Sequence, residues 1–345
     1  MALVINGRFL TRPLTGVERY GHMLLRVIAR EWPNSRIVLP ARAEDAVDTH
    51  GLEVMHQKGL GGHAWEQLQL PSVLRKDDLL LSPANTGPLR VGRQVVVVHD
   101  LAVIHHPEWF DRRFARWYEF LLPRMTRRVE RVITVSSTSS LDLQQTYSLG
   151  PGHVTIVPPF AAQLPIGERS DHRVPSPYCL MVGSIDPRKG IDRALQWYSR
   201  LKDPMFSLVI VGRPGPQFAS LDIAQHEGVH FLDGVHDAQL RVLYEGALAL
   251  LHPSRAEGFG LPVLEAMDHG CPVIASDLQV FRECFGDAVR YSSFAMDPSL
   301  DGALKAALGP EREVWIEHGK RHAATFNEAR TIRALHDVLD PLLLS

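Results

Sequence analysis

The sequence predicts a doubly wound α/β protein, and three observations carry that prediction. Short, continuously apolar, β-branched runs alternate with longer helix-patterned segments along the chain, the pattern of parallel strands covered on both faces by helices. At 345 residues the chain is longer than one hydrophobic core commonly fills, so two domains are expected. The alternation breaks once, at residues 158–178, where five prolines and mixed charges replace any periodicity. Such a stretch reads as an exposed connection between domains.

The first-half runs are ALVI (2–5), RIVLP (36–40), LLLS (79–82), QVVVVHD (94–100) and VITVS (132–136). The second half supplies CLMVGS (179–184), SLVIVG (207–212), VHFL (229–232), ALALLHP (247–253) and PVIAS (272–276). At the end, Ile332, Leu335, Val338 and Leu339 recur at helical spacing, with Pro341 expected to kink that helix. The expected division is residues 1–165, residues 166–325, and a closing helix 326–345 packing back toward the N-terminal domain. Two such domains suggest a central cleft, since open α/β sheets hold ligands at the carboxyl ends of their strands.

Composition excludes more than it identifies. Apolar residues at 45% and charged residues at 22% are ordinary globular values, unlike disordered, fibrous or integral membrane chains. A formal charge of −2 gives no general reason to expect nucleic acid as a partner. The charge is uneven: residues 1–170 hold 20 basic against 16 acidic residues, and the remainder 17 against 23. Cys179, Cys271 and Cys284 are too few and too scattered for a disulfide framework or a paired metal site, so each reads as core filler in a reducing compartment. The start, MALVINGRF, reads as a strand rather than a leader, and no apolar run approaches a bilayer's thickness. The expected location is cytoplasmic, with any membrane contact peripheral.

The strongest local signal is PSRAEGFGLPVLEAMDHGCPVIAS, residues 253–276. Its loop, Glu257-Gly258-Phe259-Gly260-Leu261, leads into a helix that Pro262 suits at its first turn. Glycines there admit a ligand to the backbone, and free amides at a helix start favour a phosphate. Glu257 and Glu265 could not both face that phosphate without repelling it, so they point to hydroxyls. A plainer role fits equally: Glu265 complementing the helix dipole and Glu257 a solvated loop acid.

Other residues carry the same two readings. Arg188 and Lys189, in the loop after Gly183, could together neutralise a diphosphate or form a solvated turn. His99 follows a four-valine run and should emerge at its strand end, although one histidine among seventeen is more often structural. Asp100 suits a turn-orienting role. Gly16 opens a helix carrying Val17, Tyr20, Met23, Leu24 and Val27, either as a cap or to admit a phosphate closely. Asp-x-Asp, His-Glu-x-x-His, Gly-x-Ser-x-Gly and Walker A motifs are all missing, so no metal and no cofactor is expected.

Taken whole, EGFGLPVLEA resembles the Glu–seven-residue–Glu signature of family 4 of the retaining glycosyltransferases, which have the GT-B fold of two Rossmann-like domains facing a central cleft. The resemblance spans most of the chain. LTGVERYGHMLLRVI (14–28) is similar to the family's N-terminal loop and first helix; VVVVHDL (95–101) and VITVSSTSS (132–140) to its N-domain strand ends; MVGSIDPRKGIDRAL (181–195) to its diphosphate segment; and FLDGVHDAQLRVLY (231–244) to its base segment. IVPPFAA (156–162) departs from the Asn-Gly turn often found there, so no contact is carried over at that point.

The resemblance implies a retaining, metal-independent hexosyltransferase whose donor is a nucleoside-diphosphate sugar, most like bacterial polysaccharide mannosyltransferases using GDP-mannose, with dTDP-rhamnose and UDP-sugars close behind. It implies an acceptor-side first domain, a donor-binding second domain, and a glycan or lipid-linked glycan acceptor. Glu257 and His99 would meet the donor sugar, with Arg188 and Lys189 at the diphosphate. Gly16, Gly183 and the backbone of Gly258, Phe259, Gly260 and Leu261 would approach the donor, Val235 the base and Glu265 the ribose. Alternatives are an epimerase or hydrolase acting on the sugar nucleotide alone, and a non-catalytic nucleotide-sugar binding protein.

Residues 109–132 hold the basic surplus: Arg112, Arg113, Arg116, Arg124, Arg127, Arg128 and Arg131 against Asp111, Glu119 and Glu130, interleaved with Trp109, Phe110, Trp117 and Tyr118. This fits a helix lying on anionic lipid or facing the acceptor, at about 1 kcal/mol per basic residue. It fits a solvated helix face with buried aromatics equally well. Pro123 is expected to separate two helices.

Overall fold

A computed structural model describes residues 2–40, 48–57, 59–161, 164–166, 174–201, 204–215, 226–294 and 298–345. Of the connecting stretch 158–178, residues 162–163 and 167–173 therefore lie outside the described residues. The chain forms two compact units. One comprises Met1–Ile104, Ala115–Pro159 and Glu328–Ser345; the other His105–Phe114 and Phe160–Asn327.

In the first unit, strands β1 (Leu3–Asn6), β2 (Arg36–Pro40), β3 (Glu53–Gln57), β4 (Leu79–Ser82), β5 (Gln94–Val97), β6 (Arg131–Thr134) and β7 (Val154–Ile156) form a parallel sheet in the order β3-β2-β1-β4-β5-β6-β7. In the second, β8 (Tyr178–Val182), β9 (Ser207–Val211), β10 (Val229–Leu232), β11 (Leu250–His252), β12 (Val273–Ser276) and β13 (Arg290–Ser292) form a parallel sheet in the order β10-β9-β8-β11-β12-β13. Both are Rossmann-like. The central strands β1, β4 and β5 are buried along their whole length, as continuous apolar runs require. Helices complete the layers: Ile191–Tyr198 buries Ile191, Ala194, Leu195 and Trp197 among Cys179, Met181, Leu208 and Ile210. Cys179, Cys271 and Cys284 are all buried, and none of them forms a disulfide.

Strands β3, β7 and β13 escaped the sequence pattern. All are sheet edges, where a strand covers less of the core and needs no unbroken apolar run. Pro123 also departs from expectation: one helix, Arg112–Thr126, runs through it. The missing N–H costs a single bond near the helix end, and burial of Leu121, Leu122 and Met125 on either side outweighs it. The closing helix Glu328–Leu344 likewise continues through Pro341. It is tied into the first unit by Thr331 donating to the Pro158 carbonyl at 2.7 Å and Trp32 to Asp340 at 3.1 Å.

Several strands end on a buried polar residue: Asn6, Ser82, Thr134, His252, Ser276 and Ser292. These lie at the carboxyl edges where sheets of this kind hold ligands. Among the described residues, no helix is long and apolar enough to cross a membrane.

Candidate active site

Two loops of the second unit build a charged centre. The first follows β8. Asp186, fully buried, accepts from the amides of Arg188 at 2.9 Å and Lys189 at 3.3 Å and from the Ser184 hydroxyl at 2.5 Å. It thereby caps the tight turn Pro187–Lys189 and fixes the two cations on a rigid backbone. Gly190 closes the turn at φ +64, and a Cβ there would stand 2.1 Å from the Pro253 carbonyl oxygen, so only glycine fits.

The second loop follows β11. Glu257 Oε1 accepts from Lys189 Nζ at 2.5 Å, Ser254 Oγ at 2.8 Å and His252 Nε2 at 3.1 Å. Arg255 fastens this loop to the first, its N–H donating to the Arg188 carbonyl at 2.7 Å while its guanidinium grips Asp192 at 2.7 and 2.6 Å. Burial raises the Glu257 carboxyl pKa, but the Lys189 ammonium, the His252 hydrogen bond and the Arg188 charge outweigh burial and hold it well below the usual carboxylate range. Burial lowers His252, against the pull of Glu257, so its ring is neutral at pH 7.

The donor-site residues expected from sequence fall in different settings. Gly260, at φ +108, caps the helix Leu261–Asp268; a Cβ there would press on Phe281 at 2.8 Å. Leu261 is half-buried, and the Phe259 ring is packed edge-on between Phe285 and Phe326. Glu265 is buried and accepts from the Tyr244 hydroxyl at 3.1 Å. Val235 is half-buried between Gly234, at φ +70, and His236, which caps the helix Asp237–Gly246. Gly183 sits at φ +150 against the Lys189 stem. Arg188, Lys189 and Glu257 are therefore brought together, along with His252 and Ser254, which the sequence reading missed.

In the first unit, the His99 ring is nearly buried rather than standing free at its strand end. It packs edge-on to Tyr20 with centroids 5.0 Å apart, Nε2 lies 3.4 Å from the Pro83 carbonyl oxygen, and its backbone N–H donates to Asn85 at 2.9 Å. Asp100 accepts from the Ala102 amide at 3.0 Å, a turn-orienting contact. Gly16 opens the helix Gly16–Glu31 after the Thr15–Glu18 capping box, and a Cβ there would meet nothing within 4 Å. Packing does not demand glycine there, and the space beside it is open.

A buried polar cluster in this unit also escaped the sequence reading. Glu66 Oε1 accepts from Asn6 at 2.8 Å, Thr86 at 3.0 Å and Arg8 Nε at 3.1 Å; Arg8 also donates to Thr86 at 2.5 Å, and His63 Nδ1 lies 3.4 Å from Glu66 Oε2. Burial raises the Glu66 carboxyl, but the Arg8 guanidinium and the His63 hydrogen bond bring it down to about 2. Glu66 lies on a π-turn, Trp65–Gln69, a rare geometry common near functional sites. The available signal was Asn6 and Ser82 ending otherwise apolar strands. Among the described residues, no three His, Cys, Asp or Glu side chains gather as a metal site.

On the helix Arg112–Thr126 and just beyond it, Arg112, Arg113, Arg116, Arg124, Arg127 and Arg128 are all exposed. Trp117 is half-buried, Tyr118 buried, and the Arg124 guanidinium lies 4.0 Å over the exposed Phe120 ring.

Comparison with known proteins agrees with this architecture. Residues 166–310 match the model of glycosyl transferases group 1. O-antigen chain mannosyltransferase B of Escherichia coli is 27% identical over 336 residues, covering 86% of each chain. O-antigen chain mannosyltransferase RfbU of Salmonella typhimurium is 27% identical over 245 residues, 70% of this chain and 68% of the relative. The crystal structure of Anabaena HepE in complex with UDP-glucose superposes with a TM-score of 0.74 over 99% of both chains; at 18% identity this speaks to the fold alone. With its two parallel Rossmann-like sheets, its EGFGLPVLEA loop and these matches, the chain has the GT-B fold and is similar to the group 1 glycosyl transferases, whose model its residues 166–310 match.

Proposed function

We propose that this glycosyltransferase moves mannose from GDP-mannose to a hydroxyl of a glycan or lipid-linked glycan, with retention at the sugar carbon and without a metal ion. The observation carrying the proposal is the Lys189–Glu257 contact with Arg188 beside it; the two mannosyltransferase relatives support the choice of sugar.

Arg188 and Lys189 stabilise charge developing on the departing diphosphate, helped by the amides of Gly258 to Leu261 and by close approach at Gly16 and Gly183. Glu257 and His99 contact sugar hydroxyls, Glu265 the ribose hydroxyls, and the backbone at Val235 the base. The bond from the sugar carbon to the diphosphate oxygen breaks as the acceptor oxygen attacks from the same face. The acceptor proton passes to a diphosphate oxygen.

Purified protein given GDP-mannose and a lipid-linked glycan is expected to form a product of unchanged anomeric configuration at the same rate with EDTA present. Activity lost on chelation and restored by a divalent ion would reject the metal-free step. GDP-mannose consumption that is indifferent to acceptor would reject transfer.

For the arginine-rich helix we propose contact with an anionic membrane surface, at about 1 kcal/mol per basic residue near the headgroups. Binding to phosphatidylglycerol vesicles is expected to weaken steeply as salt rises. Salt-insensitive or absent binding assigns these arginines to solvent.

A further inference from the structure

We propose that His252 is a positioning residue for Glu257: together with Ser254 it pins the carboxylate through one oxygen, so that the other is turned to the ligand. This rests on the reading that Glu257 meets the donor sugar. Lys189, His252 and Ser254 all donate to Oε1 of Glu257, and among the described residues no hydrogen bond reaches Oε2. A carboxylate beside two cations would otherwise be free to turn and engage Lys189 through both oxygens, which would hide it from a sugar hydroxyl. Two neutral donors on that same oxygen hold the group in one orientation without adding positive charge.

The placement of His252 suits that role. It ends β11, after Leu250 and Leu251, with its side chain 3% exposed, where an apolar residue is the default and an unsatisfied imidazole is costly. Its ring packs against Phe281 with centroids 5.5 Å apart, which fixes its direction. The groups facing it are Glu257 and Ser254 on its own loop and Lys189 and Arg188 from the turn after β8. Both cations oppose its protonation, as burial does, so it stays a neutral Nε2 donor while Glu257 is ionised.

The test uses His252→Phe, His252→Gln and Glu257→Gln in the full chain, with GDP-mannose and GDP as probes. One readout is the Glu257 carboxyl titration by carbon-13 NMR, assigned by its loss in Glu257→Gln. In His252→Phe the midpoint is expected to rise by about one pH unit, a tenfold gain in proton affinity. The preference for GDP-mannose over GDP should fall about tenfold while GDP affinity stays within about twofold, and His252→Gln should restore both because its amide can donate to the same oxygen. An unchanged titration in His252→Phe overturns the proposal, as does equal impairment of the Phe and Gln variants. So does an unchanged preference in His252→Phe when Glu257→Gln lowers it. If Glu257→Gln itself keeps the wild-type preference, the sugar-contact reading falls and with it the ligand-facing half of the proposal, while the titration still decides whether His252 holds the carboxylate.

Discussion

Lys189→Ala is expected to lower kcat/KM for sugar transfer by about a thousandfold, and Arg188→Ala by about a hundredfold, with the protein still folded. One preorganised donor aimed at developing charge contributes about 10²–10³ in rate, and each residue is such a donor in the proposed reaction. Lys189 carries the larger effect because it also neutralises Glu257, from which its ammonium lies 2.5 Å away. Without it, an ionised carboxylate on the same pair of loops repels the diphosphate that Arg188 is left to hold alone. Lys189→Arg should recover only part of the loss, since a planar fork cannot reproduce a point charge at that distance. Steady-state kinetics with GDP-mannose and acceptor decide the matter; a Lys189→Ala enzyme within threefold of wild type would remove Lys189 from the machinery.

Glu66→Ala is expected to destabilise the first unit by about 3–5 kcal/mol, the usual cost of stranding one member of a buried ion pair. Arg8 is 7% exposed and would lose its carboxylate partner, keeping among the described residues the Thr86 hydroxyl. The same pair sets an acid limit. The Glu66 carboxyl lies at about 2 when folded against 4.5 ordinarily; a depressed carboxylate stabilises the fold above about pH 4.5, and that contribution, about 3 kcal/mol, fades as pH falls toward 2. Urea unfolding read at the first unit's transition should show wild type losing stability over that window and Glu66→Ala losing less. Adding Arg8→Met to Glu66→Ala should return part of the stability, since no buried charge then remains unpaired. A cost under about 1 kcal/mol for Glu66→Ala would show that water reaches Arg8.

What the sequence made legible follows burial. Central strands such as β1, β4 and β5 announce themselves because both faces are covered. The edge strands β3 and β13 carry exposed or half-exposed residues, and their pairing depends on a neighbouring strand that no local pattern encodes. The same contrast holds at the site. Arg188, Lys189 and Glu257 were visible as charges in glycine-bearing loops, whereas His252 and Ser254 looked like the tail of an apolar strand and its turn. Their roles arise from a contact between residues 189 and 257 that only the parallel neighbours β8 and β11 create. Pro123 was misread for a related reason: a local rule about proline yields when packing on both sides of it holds the helix together.

The seam between the two charged loops has a consequence for engineering. Gly190 rests on the Pro253 carbonyl, and Arg255 bonds Arg188, Pro187 and Asp192 across the gap. Residues 183–192 and 252–257 are thus one mechanical part split between two places in the chain. Chimeras meant to change the donor should exchange both segments from the same parent. A swap of either alone would bring a foreign side chain against that seam and misalign the cations before any sugar could be tested.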